Sequence, residues 1–107
     1  MTGHELTPDE LKAKLDNNEA LFLKVWKEGC GPCKLSEPAV ERLEKKFGTD
    51  LEFTHVNSSK HSEIMEITGS KVLPAFFVFK EKKMLGKFTG FKGLAKLEDM
   101  VQKALNG

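Results

Sequence analysis

The sequence predicts an α/β domain in which a mixed central sheet of four to five strands is flanked by helices on both faces. Two observations lead to this class. In the first half, helical patterns alternate with apolar runs of strand length, as in parallel crossover units. In the second half, two strand patterns are separated by only a turn, which indicates an antiparallel hairpin. We interpret residues 1–107 as a single domain, because the length suits one domain and we find no linker or internal repeat.

The first two predicted elements are a helix and a buried strand. Thr7 can cap the helix, Pro8 suits its first position, and the helix ends at Asn17. Residues 20–26 are then almost continuously apolar, which is typical of a central strand covered on both faces. Lys24 is the exception in this strand.

The middle of the chain predicts helix, strand and helix. Apolar residues at helical spacing follow Gly31, and Gly48 ends the helix. Pro38 lies inside this helix and cannot donate a backbone hydrogen bond, so we expect a kink there. Residues 51–56 have the alternation of a strand, and residues 62–68 form a short amphipathic helix.

The last part of the chain predicts a hairpin and a final helix. Residues 75–79 and 84–89 are strands, and residues 81–83 are the turn between them. Apolar residues from Leu94 to Leu105 recur at helical spacing. This helix completes the two-sided covering of the sheet.

Composition excludes several classes of partner. Charged residues make up 31% of the chain, but the formal net charge is only +1, so no strong field attracts nucleic acid or anionic lipid. The longest apolar run, residues 74–79, is far too short to span a bilayer, and the N-terminus lacks the pattern of a signal peptide. We therefore expect a soluble, monomeric, cytoplasmic protein that binds neither nucleic acid nor membrane.

The only two cysteines, Cys30 and Cys33, enclose Gly31 and Pro32 at the predicted junction of strand and helix. Residues three apart on a helix have Cβ atoms about 5–6 Å apart, so the pair can be bonded or free with little backbone movement. The N–H groups at a helix start favour the thiolate. Cys30 lies at the tip and Cys33 in the first turn, so we assign Cys30 as the attacking nucleophile and Cys33 as the buried resolving thiol.

Two other interpretations of the pair are weaker. A static disulfide would close so short a loop that it stabilises little. A zinc site needs four ligands, and the three histidines have no zinc-like spacing. We expect no metal within one chain, although a site shared between two chains stays open.

Several further segments extend the motif. Residues 26–34, Trp-Lys-Glu-Gly-Cys-Gly-Pro-Cys-Lys, are similar to the Trp-x-x-x-Cys-Gly-Pro-Cys-Lys active site of one family. Pro38 falls where that family's helix is kinked, residues 72–76 look like its cis-proline segment, and Gly90 follows the last strand as the family glycine does. Over essentially its full length the chain resembles the thioredoxin family.

This resemblance implies a thioredoxin fold and a redox role for Cys30 and Cys33, with no bound cofactor. Pro74 would be cis and face the cysteines, and the backbone of Leu73 would pair with an extended substrate. The substrate-binding residues implied by the resemblance are Trp26, Gly29, Gly31, Pro32, Leu73, Pro74 and Gly90.

Two positions depart from the family pattern. Gly29 stands where a tryptophan is common, so we expect a flatter and more exposed Cys30. Lys24 stands where the family has a buried aspartate that handles the proton of the resolving thiol. Lys24 could act as a neutral base, as a cation that stabilises the thiolate, or as a stem whose head reaches water. His55 lies on the next strand, where the family often has lysine, so a swapped pair of base and cation is a further hypothesis.

The sequence thus predicts a thiol–disulfide oxidoreductase that reduces protein disulfides. Its electrons would come, by family analogy, from a thioredoxin-reductase-type flavoprotein using NADPH. The alternative is a thioredoxin-fold module that docks extended peptides, or holds a metal between two chains, with little turnover.

Overall fold

The computed structural model describes residues 1–107 and contains a five-stranded sheet with helices on both faces. The strand order is β1-β3-β2-β4-β5. In chain order the elements are β1 (His4–Glu5), α1 (Pro8–Asp16), β2 (Leu21–Trp26), α2 (Gly31–Leu35), α3 (Glu37–Phe47), β3 (Glu52–Asn57), α4 (Ile64–Thr68), β4 (Ala75–Lys80), β5 (Lys83–Thr89) and α5 (Leu94–Asn106).

The sheet is mixed, as the sequence predicts. β1 and β2 both run parallel to β3, whereas β4 runs antiparallel to β2 and to β5. The central position of β2 explains its continuous apolar sequence, because both of its edges are paired and both of its faces are covered.

Two apolar clusters cover the two faces of the sheet. Phe22 of β2 belongs to the cluster that α3 and α5 complete. Leu21 and Leu23 point the other way and belong to the cluster that α1 and α4 complete. Because side chains alternate along a strand, Lys24 lies on the same face as Phe22, towards α3.

Three elements differ from the sequence prediction. β1 was not predicted, because two exposed residues carry no strand pattern and their pairing with β3 is long-range. The helix after the cysteines is divided at Ser36 into α2 and α3. This break is the irregularity expected at Pro38: Ser36 keeps helical dihedral angles, but Pro38 has no N–H to donate to the Lys34 carbonyl one turn earlier. The fourth helix is shorter than expected, beginning at Ile64.

Candidate active site

The site lies at one end of the sheet, where β2 ends and β4 begins. These strands are antiparallel, and Val25 near the end of β2 pairs with Ala75 at the start of β4. The chain reaches Cys30 shortly after β2, and Pro74 directly precedes β4. The topology therefore carries both segments to the same end of the sheet.

The two cysteines form a disulfide with Cα atoms 5.3 Å apart. Cys30 is the N-cap of α2, and its Sγ accepts a hydrogen bond from the Cys33 N–H at 3.2 Å. Cys33 is 1% exposed, as expected, but Cys30 is only 6% exposed. The expectation of a more exposed Cys30 is wrong, because its sulfur turns back over the first turn of α2 even though Gly29 contributes no side chain to the rim.

The segment before the cysteines is tied to the loop after β3. The Ser58 N–H donates to the Trp26 carbonyl at 2.7 Å, and the Glu28 N–H donates to the Ser59 hydroxyl at 3.0 Å. A cavity of about 260 Å³ opens here, and its lining includes Trp26 and both cysteines. A larger cleft, of about 520 Å³, lies elsewhere between solvated side chains such as Arg42 and Glu98 and has no contact with the cysteines.

Lys24 is buried beneath the cysteine pair. It is 1% exposed, and its Nζ donates to the Cys33 carbonyl oxygen at 2.8 Å. Nζ also donates to a carboxylate oxygen of Glu37. The interpretation in which the head of Lys24 reaches water is therefore wrong: the head is held between the backbone of α2 and a side chain of α3.

Glu37 is the residue at this site that we did not predict. Its other carboxylate oxygen, Oε1, accepts the Thr2 N–H at 2.8 Å. Burial alone would raise the pKa of Glu37, but hydrogen bonds from Lys24 and Thr2 outweigh it and hold the pKa below its ordinary value. A signal was available: a buried cation needs a carboxylate, and Glu37 lies four residues after Cys33, one helical turn away.

The pKa of Lys24 reflects two opposing effects. Burial lowers the pKa of its ammonium, and the hydrogen bond and charge of Glu37 oppose part of that effect. The net direction is a lowered pKa. The carboxylate thus limits how far burial can favour the neutral amine.

His55 contacts Trp26 and not the head of Lys24. The Trp26 Nε1–H donates to His55 Nδ1 at 3.1 Å, so this nitrogen carries no proton and the imidazole is neutral. Burial lowers the pKa of His55, in agreement with that state. His55 does pair with Lys24 in the strand register, but the structure gives Lys24 a carboxylate partner, so base and cation are not simply exchanged between these two positions.

Two further predicted residues, Leu73 and Gly90, adjoin the predicted cis-proline, Pro74. The peptide bond between Leu73 and Pro74 is cis, as the resemblance predicts. The Gly90 N–H donates to the Pro74 carbonyl at 2.7 Å, which ties the end of β5 to this segment. Leu73 takes no part in the turn and loop hydrogen bonds of the backbone, so its N–H and C=O are available to a ligand.

Histidine, cysteine, aspartate and glutamate side chains nowhere come together in groups of three that could hold a metal ion. None of the helices has the length and apolar character needed to cross a membrane.

The site has the geometry of dithiol–disulfide exchange. Two bonded cysteines lie at the start of a helix, both of them buried, at the same end of the sheet as a cis-proline. On this fold, such a pair defines a thiol–disulfide oxidoreductase.

Comparisons with known proteins agree with this class. The family model described as Thioredoxin matches residues 3–103. A thioredoxin of Coprinus comatus is 29% identical over 98 residues, covering 91% of this chain and 92% of the relative. A thioredoxin of Bacillus subtilis (strain 168) is 29% identical over 80 residues, covering 75% of this chain and 77% of the relative. The crystal structure of Malassezia sympodialis thioredoxin shares the fold, with a TM-score of 0.83 at 23% identity, covering 96% of this chain and 91% of that one.

The chain belongs to the thioredoxin family. It is a thiol–disulfide oxidoreductase of the protein-disulfide reductase type, with its active-site cysteine pair in place. The alternative, a peptide-binding or metal-bridged module with little turnover, is not favoured.

Proposed function

We propose that this chain, acting as a monomeric single domain, reduces disulfides in proteins by exchange through Cys30 and Cys33. The observation that supports this proposal most directly is the capped pair itself. Cys30 takes a hydrogen bond from the Cys33 N–H, a donor that stabilises a thiolate, whereas Cys33 is sealed beneath it.

The exchange proceeds in two steps. The Cys30 thiolate attacks a substrate disulfide, forms a mixed disulfide and expels one substrate thiolate. Cys33 then gives up its proton to water and attacks Cys30 Sγ, which closes the internal disulfide and expels the second substrate thiolate. Two electrons pass from the dithiol to the substrate, and the departing thiolates take up protons from water.

Lys24 serves the second step. It lies beneath Cys33 in place of the family aspartate, with Nζ at 2.8 Å from the Cys33 carbonyl oxygen. A charged Lys24 favours the Cys33 thiolate, which favours the dithiol form and makes the disulfide a stronger oxidant.

Substrates bind in an extended conformation along residues 73–74. The free backbone groups of Leu73 support this, since an extended peptide can pair with them as an added strand. Trp26, Gly29, Gly31 and Pro32 would form the rim around Cys30. Gly90, held to Pro74, would leave room for the substrate backbone.

Partners and location follow from this role. We propose disulfide-containing proteins as substrates, a thioredoxin-reductase-type electron donor and no bound cofactor. We also propose a cytoplasmic location with a part in electron transport and redox homeostasis, because reducing conditions there would keep the pair mostly as dithiol. The small net charge, +1, offers no field for nucleic acid or membrane.

The test measures how fast insulin disulfides are reduced when dithiothreitol supplies the electrons. The rate is read from the precipitation of the freed insulin chains. We expect the wild-type protein to accelerate the reaction, and the Cys30→Ser and Cys33→Ser variants to lose turnover. Wild-type activity no higher than that of Cys30→Ser would contradict the proposal. A Lys24→Asp variant measured alongside should change the pH profile and the reduction potential; if neither changes, Lys24 has no redox role.

A further inference from the structure

We propose that Glu37 is a positioning residue for the resolving cysteine: it holds Lys24 as an ammonium ion beneath Cys33, so that the site presents a fixed cation and not a base. This inference rests on the proposed function of Cys33. In this chain the carboxylate of the site, Glu37, lies on helix α3, which packs on the sheet. The cation, Lys24, occupies the position on strand β2.

The geometry leaves Lys24 few alternatives. Its head lies between the Cys33 carbonyl and the Glu37 carboxylate, and the side chain is only 1% exposed, so these two groups and not bulk water are its hydrogen-bond partners. The Ser36 hydroxyl donates to the same Cys33 carbonyl at 2.7 Å. The end of α2 is therefore tied both to the side chain of Lys24 and to the start of α3.

Glu37 is itself held in place. One carboxylate oxygen binds Lys24 and the other accepts the Thr2 N–H at 2.8 Å. Its side chain is 21% exposed, so it alone of the pair meets solvent. The carboxylate can thus remain ionised while it compensates the charge that lies deeper in the protein.

Other charged groups face this pair from neighbouring elements. The N-terminal amine acts on Glu37, and the titratable His55 on β3 interacts with both members of the pair, while Glu5 on β1 acts on His55. Cys33 joins them when the disulfide is reduced. Among the charged side chains only Glu37 contacts Nζ, so its removal should change the protonation of Lys24 in a way that removal of another carboxylate does not. Glu41, four residues further along α3 and exposed, provides the matched control.

The experiment measures the equilibrium between dithiol and disulfide against dithiothreitol from about pH 6 to about pH 10, a range chosen around the ordinary pKa values of cysteine and lysine. The signal is the fluorescence of Trp26, the only tryptophan. The proteins are wild type, Glu37→Gln, Glu41→Gln, Lys24→Met and the Glu37→Gln/Lys24→Met double variant. An equilibrium needs no turnover, so its outcome is independent of whether insulin is reduced.

In Glu37→Gln, we expect Lys24 to lose its proton within this range, with an amine fraction at fixed pH raised at least about tenfold. This should appear as an inflection that wild type and Glu41→Gln lack. The double variant should lose it, because no lysine remains at position 24, while His55, Glu5 and the N-terminal amine are unchanged. A Glu37→Gln curve that overlays wild type, or an inflection that survives in the double variant, would overturn the proposal.

A second measurement needs no variant. The ¹⁵N signal of Lys24 Nζ in the wild-type protein reports directly whether the nitrogen is ammonium or amine. We expect ammonium at neutral pH in both redox states. A neutral amine at pH 7 would overturn the proposal even if Glu37→Gln failed to fold.

Discussion

Lys24 shows how a single residue can be recognised as unusual from the sequence while its role depends on contacts the sequence does not display. The apolar pattern of residues 20–26 predicts that Lys24 is not wholly exposed and leaves the position of its head open; the structure buries the whole side chain. Its partner is 13 positions away on another element, where Glu37 looks like one of several acidic residues on a helix. Long-range contacts of this kind leave no local pattern in the sequence. The two cysteines of the site were therefore predicted, but the carboxylate of Glu37 was not.

At the same scale, the interaction between Trp26 and His55 makes stability depend on pH. His55 Nδ1 accepts a hydrogen bond from the Trp26 Nε1–H, and burial lowers the pKa of His55 from the ordinary 6.5. The unfolded chain therefore takes up a proton on His55 at a higher pH than the folded protein does. The stability contributed by neutral His55 is present above about pH 6.5 and is lost as pH falls towards its lower folded pKa.

The measurement is urea unfolding of wild type and His55→Gln between about pH 7 and about pH 5, the range in which histidine titrates. Glutamine keeps an acceptor for Trp26 but does not titrate. We expect the free energy of unfolding of wild type to fall more steeply with acidification, by about 1.4 kcal/mol for each unit by which the pKa of His55 is lowered. His4 and His61 are present in both proteins. If the free energies of unfolding of the two proteins run parallel as pH falls, His55 contributes nothing to the pH dependence of stability.

At the scale of elements, the helices and strands that have a periodic pattern in the sequence were predicted. Strand β1, which has no such pattern, was not predicted. The capping box of Thr7 and Glu10 forms as expected at the start of α1. β1 is only His4–Glu5, and it exists because β3 offers a free edge, with the Leu6 N–H donating to the His55 carbonyl at 2.8 Å. The division at Ser36 has a local cause, the missing N–H of Pro38, and the Cys33 carbonyl there is bound by the Ser36 hydroxyl and by Lys24.

Gly3 tests what β1 contributes. Its φ is +87°, and a Cβ at this position would lie 2.2 Å from the Phe53 carbonyl oxygen. We expect Gly3→Ala to displace β1 and with it the Thr2 N–H that binds Glu37. The free energy of unfolding should fall by more than the roughly 1–2 kcal/mol that a left-handed backbone conformation costs a residue with a Cβ. Each kcal/mol should lower Tm by about 4–8 °C.

Gly69 is the matched control for this variant. It has a similar φ of +69° at the end of α4, but a Cβ there would meet nothing within 4 Å. Gly69→Ala therefore carries the backbone strain without the clash. Thermal unfolding of the two variants side by side measures the difference; an equal fall in Tm would mean that the packing of β1 on β3 adds nothing to stability.

At the scale of the whole molecule, the sheet topology assembles the site. The cysteines follow the end of β2, and the cis-proline precedes the start of β4. Because these neighbouring strands are antiparallel, both segments lie at the same end of the sheet. The alternation of elements predicted a mixed sheet, and the apolar run of residues 20–26 predicted that β2 is a central strand. The register of Lys24 with His55, and the layer from which Glu37 approaches, are properties of packing and came only from the structure.

The measurement that tests the account most directly is the trapping of a mixed disulfide. A peptide with one disulfide is incubated with Cys33→Ser, with Cys30→Ser and with wild type in its dithiol form, and the products are digested and analysed by mass spectrometry. We predict a lasting adduct on Cys30 in Cys33→Ser, none in Cys30→Ser, and rapid release in wild type as Cys33 closes the internal disulfide. An adduct that forms on Cys33 as readily as on Cys30 would contradict the assignment of nucleophile and resolving thiol.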